Sequence, residues 1–114
     1  MPYLHVQTNA NPSEPERSAF LNAATEIIAE ELKKNKSYVM ACIETGLSLN
    51  FAGSEVPAAF LELKVLGLDA SKNEVLATRL SDMARLHLHV DEDRCFSRFV
   101  DTPRGYWGLG NDVF

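Results

Sequence analysis

The chain opens with Met1-Pro2-Tyr3-Leu4-His5-Val6-Gln7-Thr8-Asn9. Behind Pro2, the side chains of Leu4, Val6 and Thr8 fall on one face, and this period of two predicts a β-strand. If the initiator methionine is removed, the nitrogen of Pro2 becomes a secondary amine. The pKa of a terminal amine is ~7.7–8.0, and burial or a nearby cation lowers it, so the nitrogen can act as a general base near neutral pH. A proline after the initiator carries no such meaning alone, so this interpretation depends on the rest of the chain.

The composition describes a chain of 114 residues with 46% hydrophobic residues and a mean hydropathy of −0.14. These values predict one soluble globular domain over residues 1–114. Eleven lysines and arginines against 16 acidic residues leave a net charge of −5, which argues against nucleic-acid binding. No apolar run is long enough to span a membrane. No signal peptide is visible, so we expect a cytoplasmic protein, with leaderless secretion as the alternative.

Residues that bind metals are sparse. Cys42 and Cys95 form no CxxC motif and lie in apolar runs, so we expect buried free thiols and a reducing compartment. His87 and His89 are two positions apart without a third ligand in the sequence, and we expect them at the surface. The sequence therefore predicts neither a metal site nor a cofactor.

Each half of the chain predicts a strand, a helix and a second strand. In the first half, Ser13-Glu14-Pro15-Glu16 is a capping box that opens a helix ending in cations, and Tyr38 to Thr45 is a nearly apolar strand. In the second half, a strand from Ala58 to Leu66 precedes a capping box at Ser71 to Glu74, and the next helix leads to a strand from Cys95 to Val100. The pattern indicates a duplicated βαβ unit.

The duplication predicts an α+β fold with a four-stranded mixed sheet. Right-handed crossovers place both helices on one face of it. The interval between the capping residues Ser13 and Ser71 also places Tyr38 on Phe96. The second face is mainly polar but contains apolar residues such as Phe60, so partner subunits would cover it and pair the sheet edges.

Several motifs, in this order, resemble the macrophage migration inhibitory factor family of the tautomerase superfamily. Pro2 opens a strand that ends at Thr8-Asn9, and a helix runs on to Lys34-Asn35-Lys36-Ser37-Tyr38. Leu49-Asn50-Phe51-Ala52-Gly53-Ser54 is similar to the family's M-x-F-G-G-S loop, and Val65-Leu66-Gly67 is similar to its S-I-G turn. The resemblance extends over the whole chain to the tail residues Trp107 and Phe114.

The resemblance implies a homotrimer with active sites at the subunit interfaces and keto–enol tautomerisation of arylpyruvates, with Pro2 as the base. Lys34 and the backbone N–H of Leu66 take the positions that hold the substrate carboxylate. The structural alternative is that Lys34 is only a cation at a helix C-terminus, where the helix dipole favours positive charge. Proton transfer between carbon and oxygen needs one poised base and an anchor, and no metal. The residues that the resemblance places around the substrate ring are Tyr38, Phe96, Tyr106, Trp107 and Phe114.

Three positions depart from the family pattern. Phe96 replaces the usual tyrosine and Arg98 the usual asparagine, on a strand face that the resemblance places at the neighbouring subunit's pocket. Phe96 cannot bind a phenolic hydroxyl, so we expect little advantage of hydroxyphenylpyruvate over phenylpyruvate. We expect Arg98 to bind a second anionic group of the substrate or to form a salt bridge between subunits. Pro57-Ala58-Ala59-Phe60 replaces the CxxC segment, so thiol oxidoreductase activity is not expected.

Two functions from different classes are compatible with these features. The first is a small isomerase acting on enol or keto acids. The second is a cytokine-like interaction protein with an unidentified protein partner. The missing leader does not separate them, because secreted members of the family are also leaderless. The retained Pro2 and Lys34 favour the isomerase.

Overall fold

The computed structural model describes residues 1–114, and its strands and helices form two layers. The strands of the main sheet are β1 (Pro2–Thr8), β2 (Met40–Glu44), β3 (Ala59–Leu66) and β4 (Cys95–Thr102), and the helices are α1 (Glu14–Leu32) and α2 (Asn73–Leu88). The strand order is β2-β1-β3-β4, with parallel pairs β1–β2 and β3–β4 and an antiparallel pair β1–β3. The tail forms a hairpin of β5 (Gly108–Leu109) and β6 (Asp112–Val113). The expected α+β fold with a duplicated βαβ unit is confirmed.

Both helices pack on the same face of the sheet, as the sequence predicts. In β1 the alternation buries Leu4 and Val6 under the helices, together with Thr8, whose hydroxyl donates to the Ala58 carbonyl (2.7 Å). The apolar stripes of α1 and α2 meet these strands in one hydrophobic core. The free thiols of Cys42 and Cys95 are only partly buried, where full burial was expected. Neither α1 nor α2 combines the length and the apolar character that a membrane-spanning helix needs.

The start of α1 confirms the first capping box. The Ser13 hydroxyl accepts the backbone N–H of Glu16 (3.2 Å), and the Glu16 carboxylate accepts the N–H of Ser13 (2.8 Å). The helix ends at Leu32, and Lys33 adopts a left-handed conformation with φ of 53°. The last turn therefore carries no cation, and Lys34 lies in the connection that follows the helix rather than within it.

The start of α2 corrects the second capping box. The Asp69 carboxylate accepts the N–H of Ser71 (2.9 Å), and a 3₁₀ turn, Ala70–Lys72, precedes the helix. The N-cap residue of α2 is Lys72, which makes no side-chain capping bond. An aspartate two residues before a backbone N–H captures that donor in a local turn. Ser71 is therefore inside this turn and does not cap the helix.

The strand boundaries also differ from expectation. The residues Lys36–Tyr38 form a 3₁₀ turn, because the Asn35 side chain accepts the N–H of Ser37 (3.0 Å), so β2 begins only at Met40. β4 runs beyond Val100 to Thr102, since its pairing with β3 continues to the end of that strand.

The two halves of the chain repeat the same connections, with a register that differs from the one expected. Each main helix ends in a left-handed residue, Lys33 in the first half and His89 in the second, with φ of 53° and 60°. A 3₁₀ turn follows each and ends at Tyr38 in the first half and at Arg94 in the second. The structural counterpart of Tyr38 is therefore Arg94, and the expected equivalence with Phe96 is wrong.

Candidate active site

The start of β1 borders a cleft of about 510 Å³. Pro2 pairs with Val65 at the end of β3, and the proline ring is buried. Tyr38 reaches the cleft from the 3₁₀ turn that precedes β2, and Trp107 reaches it from the tail. Most of the lining is apolar. The residues that line the cleft are Met1, Pro2, Tyr3, Ser37, Tyr38, Val39, Met40, Trp107, Gly108 and Leu109.

The N-terminal amine, carried by Met1, lies in a partly desolvated and electropositive place. Burial is the main cause that lowers its pKa from the ordinary value of 8.0, and the charge of Lys34 lowers the pKa further. The connection after α1 positions Lys34, whose N–H donates to the Ala29 carbonyl (3.0 Å). A lowered pKa leaves more of the amine neutral at pH 7, and only the neutral form accepts a proton.

The backbone N–H of Leu66 points to the immediate neighbourhood of the Pro2 nitrogen. It donates to the carbonyl oxygen of Met1 (3.3 Å), and the carbon of that carbonyl is bonded to the Pro2 nitrogen. The following turn is fixed because Gly67, with φ of 72°, donates its N–H to the Thr102 carbonyl (3.1 Å). An anion oxygen in the place of the Met1 oxygen would therefore lie beside the proposed base.

One chain thus brings together five of the residues singled out in the sequence. Pro2, Tyr38 and Trp107 line the cleft, Lys34 acts on the amine through its charge, and Leu66 directs its N–H at the same place.

Phe96 and Arg98 lie elsewhere in the same chain. Pro2 begins β1 beside the end of β3, whereas Phe96 pairs with Phe60 near the start of β3, at the opposite end of the sheet. Arg98 donates to the Glu62 carboxylate at 2.7 Å and is the first cause of the lowered pKa of Glu62. The arginine therefore has an ionic partner within its own chain, which neither sequence-based alternative included.

Two aromatic residues of the tail do not line the cleft of their own chain. Tyr106 is exposed. Phe114 donates its backbone N–H to the Trp107 carbonyl (2.9 Å), which closes the tail hairpin, and its ring is not among the lining groups. The tail of one chain contributes Trp107 and Leu109 instead.

The large side chains among the lining residues that the sequence analysis missed are those of Tyr3, Met40 and Leu109. Burial is the main cause that raises the pKa of the Tyr3 phenol, followed by the neighbouring Cys42 thiol, so the hydroxyl stays protonated at neutral pH. The position next to Pro2 is a signal that would have identified Tyr3. The position of Leu109 depends on the tail hairpin, which the sequence analysis did not predict.

Comparison with known proteins identifies the family and supports the fold. The family model for macrophage migration inhibitory factor matches residues 1–112. A macrophage migration inhibitory factor homologue of Brugia malayi is 36% identical over 100% of this chain and 99% of its own. The macrophage migration inhibitory factor of Toxoplasma gondii superposes with a TM-score of 0.92 at 26% identity, over 98% of this chain and 99% of its own.

A further structure, of a protein inactivated by 2-oxo-3-pentynoate, has a TM-score of 0.86 over 97% of this chain and 94% of its own, and at 16% identity it shows the fold alone. The match over nearly the whole sequence, together with the identity to the Brugia malayi protein, shows that this chain belongs to the macrophage migration inhibitory factor family of the tautomerase superfamily.

Proposed function

We propose that the protein is a keto–enol tautomerase for phenylpyruvate-like 2-keto and enol acids. Pro2 is the general base once Met1 has been removed. One observation carries the proposal: the Leu66 N–H points to the place beside the Pro2 nitrogen, in a cleft where burial and Lys34 lower the pKa of the terminal amine. Membership of the tautomerase superfamily supports isomerase chemistry.

The two ends of such a substrate fit the two kinds of group at the cleft. The carboxylate accepts the Leu66 N–H in a charge-assisted hydrogen bond and is attracted by Lys34. The aromatic ring lies against Tyr38 and Trp107, where it loses contact with water. This orientation places the carbon next to the keto group at the Pro2 nitrogen.

The reaction moves one proton from carbon to oxygen. The neutral Pro2 nitrogen takes the proton from the carbon next to the keto group, and the electron pair of that C–H bond forms the enolate. The enolate oxygen then receives a proton, either directly from the Pro2 ammonium or from a water molecule to which the ammonium passes its own proton. Neither substrate nor protein is oxidised, and the base returns to its neutral form.

Retained Met1 would prevent this reaction in two ways. The Pro2 nitrogen is then an amide, which is not basic, and the Met1 carbonyl oxygen occupies the Leu66 N–H. Removal of Met1 frees both groups in one step. We therefore propose that the processed chain is the active form.

We also propose a homotrimer in which a neighbouring chain supplies Phe96 and Arg98 to the cleft. Support comes from the place of Phe96 at the opposite end of the sheet from Pro2, and from the exposure of Phe96 and Arg98 on the face that the helices leave open. In this arrangement Phe96 extends the aromatic lining. Arg98 remains bound to Glu62, so the protein has little preference for substrates with a second anionic group.

The proposal is tested by covalent labelling with 2-oxo-3-pentynoate, the compound that inactivates a protein of the same fold. Its alkyne is conjugated to a ketone, so a neutral amine adds to the triple bond and the adduct gains the whole mass of the reagent. We expect one adduct per chain, on Pro2, forming in proportion to the loss of phenylpyruvate tautomerisation. Excess phenylpyruvate should slow the labelling. Adducts on Cys42 or on lysines, with Pro2 unmodified in the inactivated protein, would contradict the proposal.

An interaction protein is the second candidate function, and the exposed apolar residues of the tail favour it. Tyr106, Leu109 and Val113 are all exposed. Hydrogen exchange of the tail in the assembled protein separates the two explanations. Protection of these amides would assign the surface to contacts between copies of the chain, and rapid exchange would leave it free for another partner.

A further inference from the structure

Three phenylalanine rings form a cluster at the start of β3 and β4, away from the Pro2 cleft of the same chain. The ring of Phe51, from the loop that precedes β3, lies edge-on to the ring of Phe96, with centroids 5.0 Å apart and an interplanar angle of 61°. The centroid of the Phe60 ring lies 6.4 Å from that of Phe96. Phe96 still remains 55% exposed. Its own chain therefore supports the ring on one side and leaves the other side open.

The loop that carries Phe51 reverses direction in a strained turn. Phe51 and Ser54 exchange two backbone hydrogen bonds (3.0 and 3.1 Å), and the two residues between them, Ala52 and Gly53, have φ of 55° and 74°. Glycine adopts this left-handed conformation readily, whereas alanine does so at a cost in energy because of its Cβ atom. Such a conformation persists only where surrounding contacts impose it. Contacts from outside the turn therefore set the position of Phe51.

Arg94 provides many of these contacts. Its guanidinium carbon lies 5.1 Å from the centroid of the Phe51 ring, in the range of a cation–π interaction. An arginine has five N–H donors in a rigid plane, so one side chain can bind the loop at several points. The carbonyl oxygens that accept these N–H groups are those of Phe51 (3.2 Å), Ser54 (3.1 Å), Val56 (2.9 Å) and Pro57 (3.1 Å). Arg94 therefore holds both the backbone of the loop and the Phe51 ring.

The same arginine lies directly before the strand that carries Phe96. The 3₁₀ turn that precedes β4 ends at Arg94, and Phe96 is the second residue of β4. Arg94 thus joins the loop to the start of this strand. Phe51 and Phe96 keep a fixed relative position because both are tied to the same point.

We propose that Phe51 and Arg94 are positioning residues for the active site of a neighbouring chain. They hold the Phe96 ring in the orientation in which it lines that chain's cleft. An exposed phenylalanine without such support would occupy several rotamers, and substrate binding would have to restrict it to one. Each chain therefore contributes its Pro2 to one cleft and a preorganised ring to the next. This role rests on the proposed function and on the proposed homotrimer.

Loss of the supporting ring tests this role. In Phe51→Leu we expect KM for phenylpyruvate to rise roughly two- to tenfold, the effect of fixing one free side chain, while kcat changes little. Arg94→Lys should raise KM in the same way, because an ammonium group cannot bind the loop carbonyls in one plane. Val56→Ala is the matched control, since Val56 is exposed in the same loop and its carbonyl is retained. Its KM should equal that of the wild type.

Mixed trimers show whether Phe51 acts on its own chain or on a neighbour. Phe51→Leu chains are unfolded and refolded together with a large excess of Pro2→Ala chains. Only the Phe51→Leu chains then carry the base, and most of their neighbours carry an intact loop. We expect KM to return to the wild-type value. An equal excess of chains with both substitutions is the matched control and should leave KM raised.

An unchanged KM in folded Phe51→Leu, or a raised KM that Pro2→Ala neighbours do not restore, would overturn this role. Phe51→Met, which keeps apolar volume without the ring, replaces Phe51→Leu if the latter does not fold. Phenylacetate lacks the keto group, so its binding, followed by the fluorescence of Trp107, needs no turnover. A wild type without tautomerase activity would contradict the proposed function. Weaker phenylacetate binding in Phe51→Leu would still support the positioning role, and equal binding would overturn it.

Discussion

Lys34 has the clearest electrostatic role of any residue at the cleft. It follows the left-handed residue that ends α1, and its charge is the second cause, after burial, of the lowered pKa of the terminal amine. The same charge attracts an anionic substrate. Lys34 therefore acts on both the base and the anchor of the proposed reaction.

Replacing Lys34 by methionine should separate these two effects. We expect kcat/KM for phenylpyruvate to fall roughly ten- to hundredfold, because a charged contact to the carboxylate is lost. Lys34⁺ disfavours the ammonium form, so its removal should raise the pKa of the amine and move the acidic limb of the kcat/KM profile to higher pH. Lys36→Met is the control, since Lys36 is paired with Glu26 (2.8 Å). An unshifted acidic limb in Lys34→Met would contradict the electrostatic role.

The residues near the chain's start were predictable because their signals are local. Pro2 is recognisable because it directly follows the initiator methionine. Lys34 follows a helix whose apolar periodicity is clear. The pairing of Arg98 with Glu62 was not predictable in the same way. It depends on the register between β3 and β4, which places these two residues opposite each other, and the sequence predicts the strands without their register.

At the scale of elements, two similar capping motifs have different outcomes at the starts of α1 and α2. Ser13 caps α1 with its side chain, whereas the side chain of Ser71 makes no cap. Asp69 precedes Ser71 by two residues and takes its N–H. The capping-box motif predicted both helices correctly. Only the box at Ser13 forms, because Asp69 accepts the N–H of Ser71 in a local turn.

Alanine substitution of the two serines should therefore have unequal effects. Ser13→Ala loses a side-chain cap and should cost about 1 kcal/mol of unfolding free energy, or about 4–8 °C in Tm. Ser71→Ala is the matched control and should change Tm little, since Asp69 accepts the backbone N–H that alanine retains. Thermal unfolding followed by circular dichroism measures both. Equal losses would show that Ser71 caps α2 in solution.

The same cap makes stability depend on pH in the acidic range. The N–H of Ser13 is the main cause that lowers the pKa of Glu16 to about 2, and a hydrogen bond to His89 is the next. A pKa below the unfolded value of about 4.5 gives stability that is present above pH 4.5 and is lost as the pH falls towards 2. Urea unfolding between pH 6 and pH 2, both approximate limits, should show a smaller acid loss in Glu16→Gln than in the wild type. Identical pH dependence in the two proteins would refute this.

At the scale of the whole molecule, the sheet is covered on one face and open on the other. The open face exposes Met40 by 66% and Phe96 by 55%. The outer strands β2 and β4 each leave one edge unpaired in the single chain. Exposed apolar side chains and free edges are features that association with other copies removes.

We predict that light scattering will give three times the chain mass of 12.7 kDa. Phe96→Glu, which places a charge on the open face, should lower the mass. Leu86→Glu is the control, because Leu86 is 61% exposed but lies on α2. The number of copies could not be read from the sequence pattern, since alternation shows that a face needs cover and not what covers it. A stable monomer with tautomerase activity would contradict the trimer.

The central claim is that the freed nitrogen of Pro2 is the base. Its most direct test is kcat/KM for phenylpyruvate, measured for the wild type and Pro2→Ala with intact masses that prove removal of Met1. We predict a loss of at least about 10²-fold in Pro2→Ala, the lower end for general-base catalysis. A variant as active as the wild type, or full activity in protein that retains Met1, would contradict the claim.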